Sequence, residues 1–260
     1  MPKYHLDTIP VWDAMKLEGE CLLCSLRRKM EVGEVDRFLG ASVMEPDTRI
    51  QVNRKGFCKH HQEMLFAVDN RLGHALMLES HLTETRERLA KALQSMQQSA
   101  KGVSQSSFLD RLSGKAPSPK KALETDVEAL EKMTESCVVC DSIDENMDRY
   151  LHTFFHLYKN ESDFRKAFAA SKGTCLPHAA QLMRAAAEEL SSKELAEFTD
   201  TLVKLETEAF DRMQEEISWF IKKFDYRFAG EPWRNSRDSV ERSVNKLRGW
   251  CIGQEPYPKE

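Results

Sequence analysis

The chain has 260 residues, enough to bury a substantial core as one large domain or two smaller ones. With 41% hydrophobic and 31% charged residues it has the balance of a folded, helix-rich protein and not of a disordered one. A net charge of -4, from 38 basic against 42 acidic residues, gives no electrostatic reason to expect nucleic acid or an anionic membrane as partner.

The opening MPKYHLDTIPVWDAMKLEG has neither a long apolar core nor a small-residue cleavage site, so no signal peptide is expected. No run approaches the ~20 apolar residues of a membrane span. The expectation is a cytoplasmic protein without membrane attachment. There are seven cysteines, an odd number, and in a reducing compartment they are expected as thiols or metal ligands rather than a disulfide frame.

The first pair is Cys21-Leu22-Leu23-Cys24, followed by SLRRKMEVGEVDRFLGASVM, whose apolar positions have helical spacing. Ile50 and Val52, two residues apart, are the nearest thing to a strand pattern, in the least helical segment, EPDTRIQVNRKG. Then come Lys55-Gly56-Phe57-Cys58 and His61. Leu78, Leu82, Leu89, Leu93 and Met96 mark one face of a long helix after them. Residues 98–120, rich in Ser, Lys, Gly and Pro, read as a linker, because Pro117 and Pro119 should stop a helix there.

The second half repeats the pattern. Cys137-Val138-Val139-Cys140 is followed after 34 residues by Cys175-Leu176-Pro177-His178, against 33 residues in the first half. Lys172-Gly173-Thr174-Cys175 matches the approach to Cys58. The chain therefore reads as an internal duplication. Phe198, Leu202, Leu205, Ala209, Met213, Ile217, Phe220 and Phe224 form the longest apolar stripe, and Val240, Val244, Leu247 and Cys251 suggest a last short helix.

These elements predict an all-α protein of two pseudo-repeats. The boundaries expected are 1–101 for the first metal-binding repeat, 102–120 for a flexible linker, 121–228 for the second repeat, and 229–260 for a short helix and tail. Each repeat is expected to be pinned by one three-cysteine, one-histidine site: Cys21, Cys24, Cys58 and His61 in the first, Cys137, Cys140, Cys175 and His178 in the second. Two ligands three residues apart project from one side of a helix or tight turn, and two such pairs complete a tetrahedron. The repeat selects His61 over His60, because His60 aligns with Pro177. Gly56 and Gly173 permit a positive-φ turn ahead of the third ligand. Pro177 fits a helix's first turn, which places Cys175 at a helix start, where the dipole favours a thiolate.

Two zinc ions per chain are the expected cofactors, since closed thiolate–imidazole sites are typically structural zinc. An iron–sulfur cluster is the alternative, and unliganded buried cysteines are the plain one. Asp148, His152 and His156 share a helix face and could make a second site, although such a face is more often solvated. Arg27, Arg28, Lys29, Arg242, Lys246 and Arg248 read as solvated, and the aromatic residues from Trp219 to Trp250 as core or as a partner groove. No phosphate loop, HExxH or GxSxG motif is present. The reading that follows leans away from an enzyme. It is a non-enzymatic scaffold with an unknown protein partner and an oligomeric state left open; the alternative is a redox or metal-responsive protein.

The segments KYHLDTIPVWDAMKLEGECLLC, FLGASVMEPDTRIQVNRKGFCKHH and NRLGHALMLESHL, with the paired CxxC and CxxH motifs, resemble an uncharacterised domain-of-unknown-function family found mainly in anaerobic Gram-positive bacteria. The resemblance implies a fold built on paired CxxC and GFCxxH motifs and carries no activity, substrate or partner. The second half has Thr174 where the first has Phe57.

Overall fold

The computed structural model describes residues 4–105 and 119–257. Among them are eleven α-helices and no strand. In chain order these are α1 (Tyr4–Lys16), α2 (Leu22–Leu39), α3 (Pro46–Lys55), α4 (Lys59–Ala67), α5 (Arg71–Gln105), α6 (Pro119–Glu131), α7 (Val138–Asn160), α8 (Ser162–Ala169), α9 (Leu176–Glu189), α10 (Ser192–Lys222) and α11 (Ser239–Arg248). The all-α class follows directly. Residues 106–118, most of the expected linker, lie outside the described residues. Its first residues, up to Gln105, belong to α5, and Pro119 opens α6 rather than ending a helix, as its fixed φ allows at a first position.

The segment with the strand-like spacing is the helix α3. Pro46 sits at its first turn, and Gly56 closes it at φ +66° with its N–H on the Val52 carbonyl at 2.7 Å. Residues two apart on a helix face opposite ways, so Val52 is buried while Ile50 is exposed.

The chain forms two compact units. One comprises Met1–Met30 with Asp144–Glu260, the other Glu31–Ile143. The boundaries fall inside α2 and α7, so each unit draws on both halves of the sequence.

The first unit is centred on aromatic residues. Phe154, Phe155, Phe164, Phe168 and Phe198 are fully buried, and Phe154 meets Phe155, Phe164 and Phe168 edge-on at 5.1 Å. Such pairs add about 0.5–1.5 kcal/mol each beyond their burial. α10 opens with a capping box: Ser191 N–H donates to Glu194 Oε2 at 2.9 Å, and Ser191 Oγ accepts from Glu194 N–H. Its stripe is buried from Phe198 through Met213, but Ile217 and Phe220 are half-buried and Phe224, past the helix end, is exposed.

α11 docks by a polar face, not the apolar one its sequence suggests. Val240 and Leu247 are exposed, Cys251 lies exposed beyond the helix, and Ser239 and Lys246 are buried. Lys246 Nζ donates to the Lys172 carbonyl at 2.7 Å and lies 3.5 Å from Glu206 Oε2. Arg242 bridges Glu216 at 2.5 Å and Glu20 at 3.2 Å. Lys246 is therefore buried and Arg242 half-buried, each drawn inward by half-buried acidic partners.

The second unit buries Val35, Phe38, Leu39, Val52, Leu65 and Met77. Asn70, just before α5, accepts from Gly73 N–H at 2.9 Å and donates to the Leu39 carbonyl at 2.7 Å, fixing that helix start. In α5 Gly73, His74 and Met77 are buried, whereas Leu82, Leu89 and Leu93 are exposed. The leucine spacing gives the helix correctly but not its buried face.

Candidate metal centres

All four ligand pairs sit at helix starts. Cys21 and Cys137 immediately precede α2 and α7, and their carbonyls accept from Ser25 N–H at 3.3 Å and Asp141 N–H at 3.1 Å. Cys58 and Cys175 are the N-caps of α4 and α9. The second ligand of each pair follows one turn later. Unpaired N–H groups and the positive dipole end thus converge on the sulfurs.

The sequence order paired each CxxC with the next CxxH, and the structure corrects that pairing. The first unit gathers Cys21, Cys24, Cys175 and His178, and the second gathers Cys58, His61, Cys137 and Cys140. The reason is helix length. α2, with 18 residues, and α7, with 23, carry the chain about 27 Å and about 34 Å away from the CxxC at which each begins. Both arrangements give three cysteines and one histidine, so composition alone does not separate them.

In the first group Cys21 and Cys24 lie 3.8 and 3.7 Å from Cys175 Sγ, and His178 Nδ1 is 3.2–3.4 Å from all three sulfurs. In the second, Cys58 and Cys140 are 3.8 Å apart, and His61 Nδ1 is 3.2–3.4 Å from Cys58, Cys137 and Cys140. All six cysteines are free, and these separations are well beyond the about 2.05 Å of a disulfide. A tetrahedron with metal–sulfur bonds of about 2.3 Å and a metal–nitrogen bond of about 2.0 Å has edges of about 3.8 and about 3.5 Å. Both groups fit one ion of that kind.

The turns before Cys58 and Cys175 are alike. Gly56 and Gly173 have φ of +66° and +80°. A Cβ at Gly56 would lie 2.7 Å from His81 Nε2, and one at Gly173 would lie 3.0 Å from Glu206 Oε1. Thr174 uses its place in the second turn: its N–H and hydroxyl both donate to Glu206 Oε1, at 2.6 and 2.7 Å. In the first unit Trp250 N–H donates to Cys24 Sγ at 3.3 Å.

Electrostatics divide each group in the same way. Hydrogen bonds from Cys21 and Cys24, with the His178 N–H and the Lys246 charge, outweigh burial and bring the Cys175 thiol down to about 4. Hydrogen bonding with Cys175 and Cys21, together with burial, pushes Cys24 up. Burial opposes ionisation of Cys137, but His61 and the N–H groups of Cys140 and Cys58 bring it down to about 6. Burial and the neighbouring sulfurs push Cys140 up. Burial likewise opposes a charged His61, yet Cys137 and Glu31 hold it up at about 10. One thiol in each group ionises readily while a second is held protonated. A divalent cation supplies the charge that lets all three sulfurs ionise.

A family model described as a family of unknown function, DUF6062, matches residues 2–254. The chain belongs to the DUF6062 family. Neither a curated protein nor a solved structure matches this DUF6062 chain. Both candidate centres lie inside the matched span.

The other sequence candidates do not assemble in this DUF6062 protein. Asp148, His152 and His156 form no ligand group among the described residues; His152 pairs with Glu189, and His156 contacts Asn160. His74 Nε2 meets Gln62 Oε1 at 2.8 Å, and His81 Nδ1 meets the Asn53 carbonyl at 3.1 Å. Of the aromatic residues near the C-terminus, Phe224 and Tyr226 are exposed, whereas Trp219, Phe220, Phe228, Trp233 and Trp250 are half-buried, and Trp250 lies under Arg28 at 4.8 Å. Glu31 was missed by sequence reasoning. Its carboxylate lies 2.8 Å from His60 Nε2 and 3.4 Å from His61 Nε2, and only its place seven residues beyond Cys24 could have drawn notice. No described helix is long and apolar enough to cross a membrane.

Proposed function

We propose that each group holds one zinc ion, two per chain, and that the protein is a metal-stabilised helical scaffold for a protein partner. The observation that carries the reading is the match of both donor sets to a four-ligand tetrahedron around a single ion. Four protein ligands leave no coordination position open, which favours a structural role over hydrolysis. A [2Fe–2S] or [4Fe–4S] cluster spreads its ligands over several irons, whereas here all four donor atoms lie within 4.8 Å of one another. That spacing favours one ion over a cluster. The near-balanced charge gives no electrostatic reason to expect nucleic acid.

Zinc at such sites contributes folding free energy on the order of 10 kcal/mol each, by analogy with zinc-finger peptides. Thiolate ligands suit a reducing compartment, which supports a cytoplasmic protein. The matched helix starts support an internal duplication whose halves have exchanged ligand pairs.

Elemental analysis with an absorption spectrum, on protein purified anaerobically without added metal, tests the reading. Two zinc ions per chain and no visible band are expected. Iron with a visible band would move the reading to redox sensing, and a metal-free folded protein would end it.

A further inference from the structure

The two groups differ in access. In the first unit Cys21, Cys24, Cys175 and His178 are all buried. Residues 250–257 pack beside them: Trp250 N–H donates to Cys24 Sγ, Arg28 reaches Glu255 at 2.8 Å, and Lys29 lies 4.8 Å over the Tyr257 ring. In the second unit Cys58 and Cys140 are only half-buried.

Beside that second group stands another set of donors, which shares His61 with it. His60 is 59% exposed and its Nε2 lies 2.8 Å from Glu31 Oε1. His61 is 2% exposed; its Nε2 faces the same carboxylate oxygen at 3.4 Å and makes no hydrogen bond. One ligand atom from each of Glu31, His60 and His61 comes within 4.8 Å of the others. His61 thus turns Nδ1 to the sulfurs and Nε2 to Glu31 and His60.

We propose that the Cys58/His61/Cys137/Cys140 group is the exchangeable metal centre and that Glu31 and His60 form its loading site for a divalent cation. This rests on the reading of both groups as metal centres. Exchange needs an incoming ligand to reach the ion and a resident ligand to leave. Half-exposed Cys58 and Cys140 permit both, and the buried sulfurs of the other group permit neither. A carboxylate oxygen and an imidazole nitrogen hold Zn²⁺ without first deprotonating a thiol. From Glu31 and His60 the ion passes to the sulfurs and His61 Nδ1, and each thiol still protonated, like a protonated His61, releases its proton to solvent as it binds.

The test uses the full chain, with zinc counted first by native mass spectrometry and release then followed with a colorimetric zinc chelator. Two phases of one zinc each are expected. Cys140→Ser should abolish the fast phase and Cys24→Ser the slow one. His60→Ala should slow the fast phase by about tenfold, the scale of outer-shell effects at metal sites. His156→Ala, at a histidine of the other unit, should leave both phases unchanged. Two zinc ions released in one phase, or a fast phase indifferent to His60→Ala, overturn this inference and leave the two-centre reading standing. A chain that holds no zinc overturns both.

Discussion

The Val138 N–H donates to the Gly56 carbonyl at 3.1 Å, joining the start of α7 to the turn that delivers Cys58. One residue on each side of this bond carries a sulfur or leads to one. Ser136 Oγ adds a bond to the Lys55 carbonyl at 2.8 Å, and Lys55 pairs with Asp141. These contacts hold the two ligand elements of the second group in register.

Gly56→Ala should therefore be costly. A non-glycine residue at φ +66° loses about 1–2 kcal/mol, and the new Cβ would press on His81. Urea unfolding of the zinc-loaded protein should show the loss, together with weaker zinc retention at the second group. An unchanged midpoint would mean that the turn relaxes without cost.

The crossed pairing has its own test in double variants. Cys21→Ser with Cys175→Ser removes two ligands of one group, and one zinc should remain per chain. Cys21→Ser with Cys58→Ser damages both groups, and neither zinc should survive dialysis against a chelator. The reverse pattern would restore the pairing by sequence order.

Lys246 is 1% exposed beside Glu206. Lys246→Met leaves the half-buried Glu206 carboxylate with its Thr174 donors but no countercharge, and should cost about 3 kcal/mol, the low end of the scale for breaking a buried pair. Calorimetry or denaturant unfolding reads this directly. A loss below about 1 kcal/mol, the scale of an exposed pair, would place the lysine in water.

Acid should weaken the Glu20 network in a defined direction. Burial alone would raise the Glu20 pKa, but Arg212 at 2.5 Å and Arg242 at 3.2 Å hold it below the usual carboxylate value of 4.5. A depressed folded pKa contributes stability that is present above the unfolded pKa and is lost as the pH falls through the folded one. Glu20→Gln should therefore be less stable than the parent at pH 7. The gap should narrow below pH ~4 as the parent's carboxylate protonates. Paired denaturation curves at the two pH values check it, and a gap that widens in acid would contradict the sign.

Phe154→Ala should cost about 3–5 kcal/mol, since the ring is fully buried among Phe155, Phe164 and Phe168. Thermal unfolding measures this, and a small shift would mean that the aromatic cluster repacks around the cavity.

By itself the sequence determined what is local. Helical spacing, caps and Pro177 set the helices, and three-residue spacing with Gly56 and Gly173 set two ligand pairs at helix starts. Those signals live within one or two turns of chain, where backbone geometry decides the outcome. Only the tertiary structure decided which CxxC meets which CxxH, because the ligand sets are chemically identical and helix length, not spacing, separates the partners. It also decided which face each helix buries. Lys246 goes inward because Glu206 and the Lys172 carbonyl satisfy it there, and Leu82, Leu89 and Leu93 stay out because α5 buries its His74 and Met77 side instead. Such choices depend on contacts between residues far apart in the chain, and no local pattern encodes them.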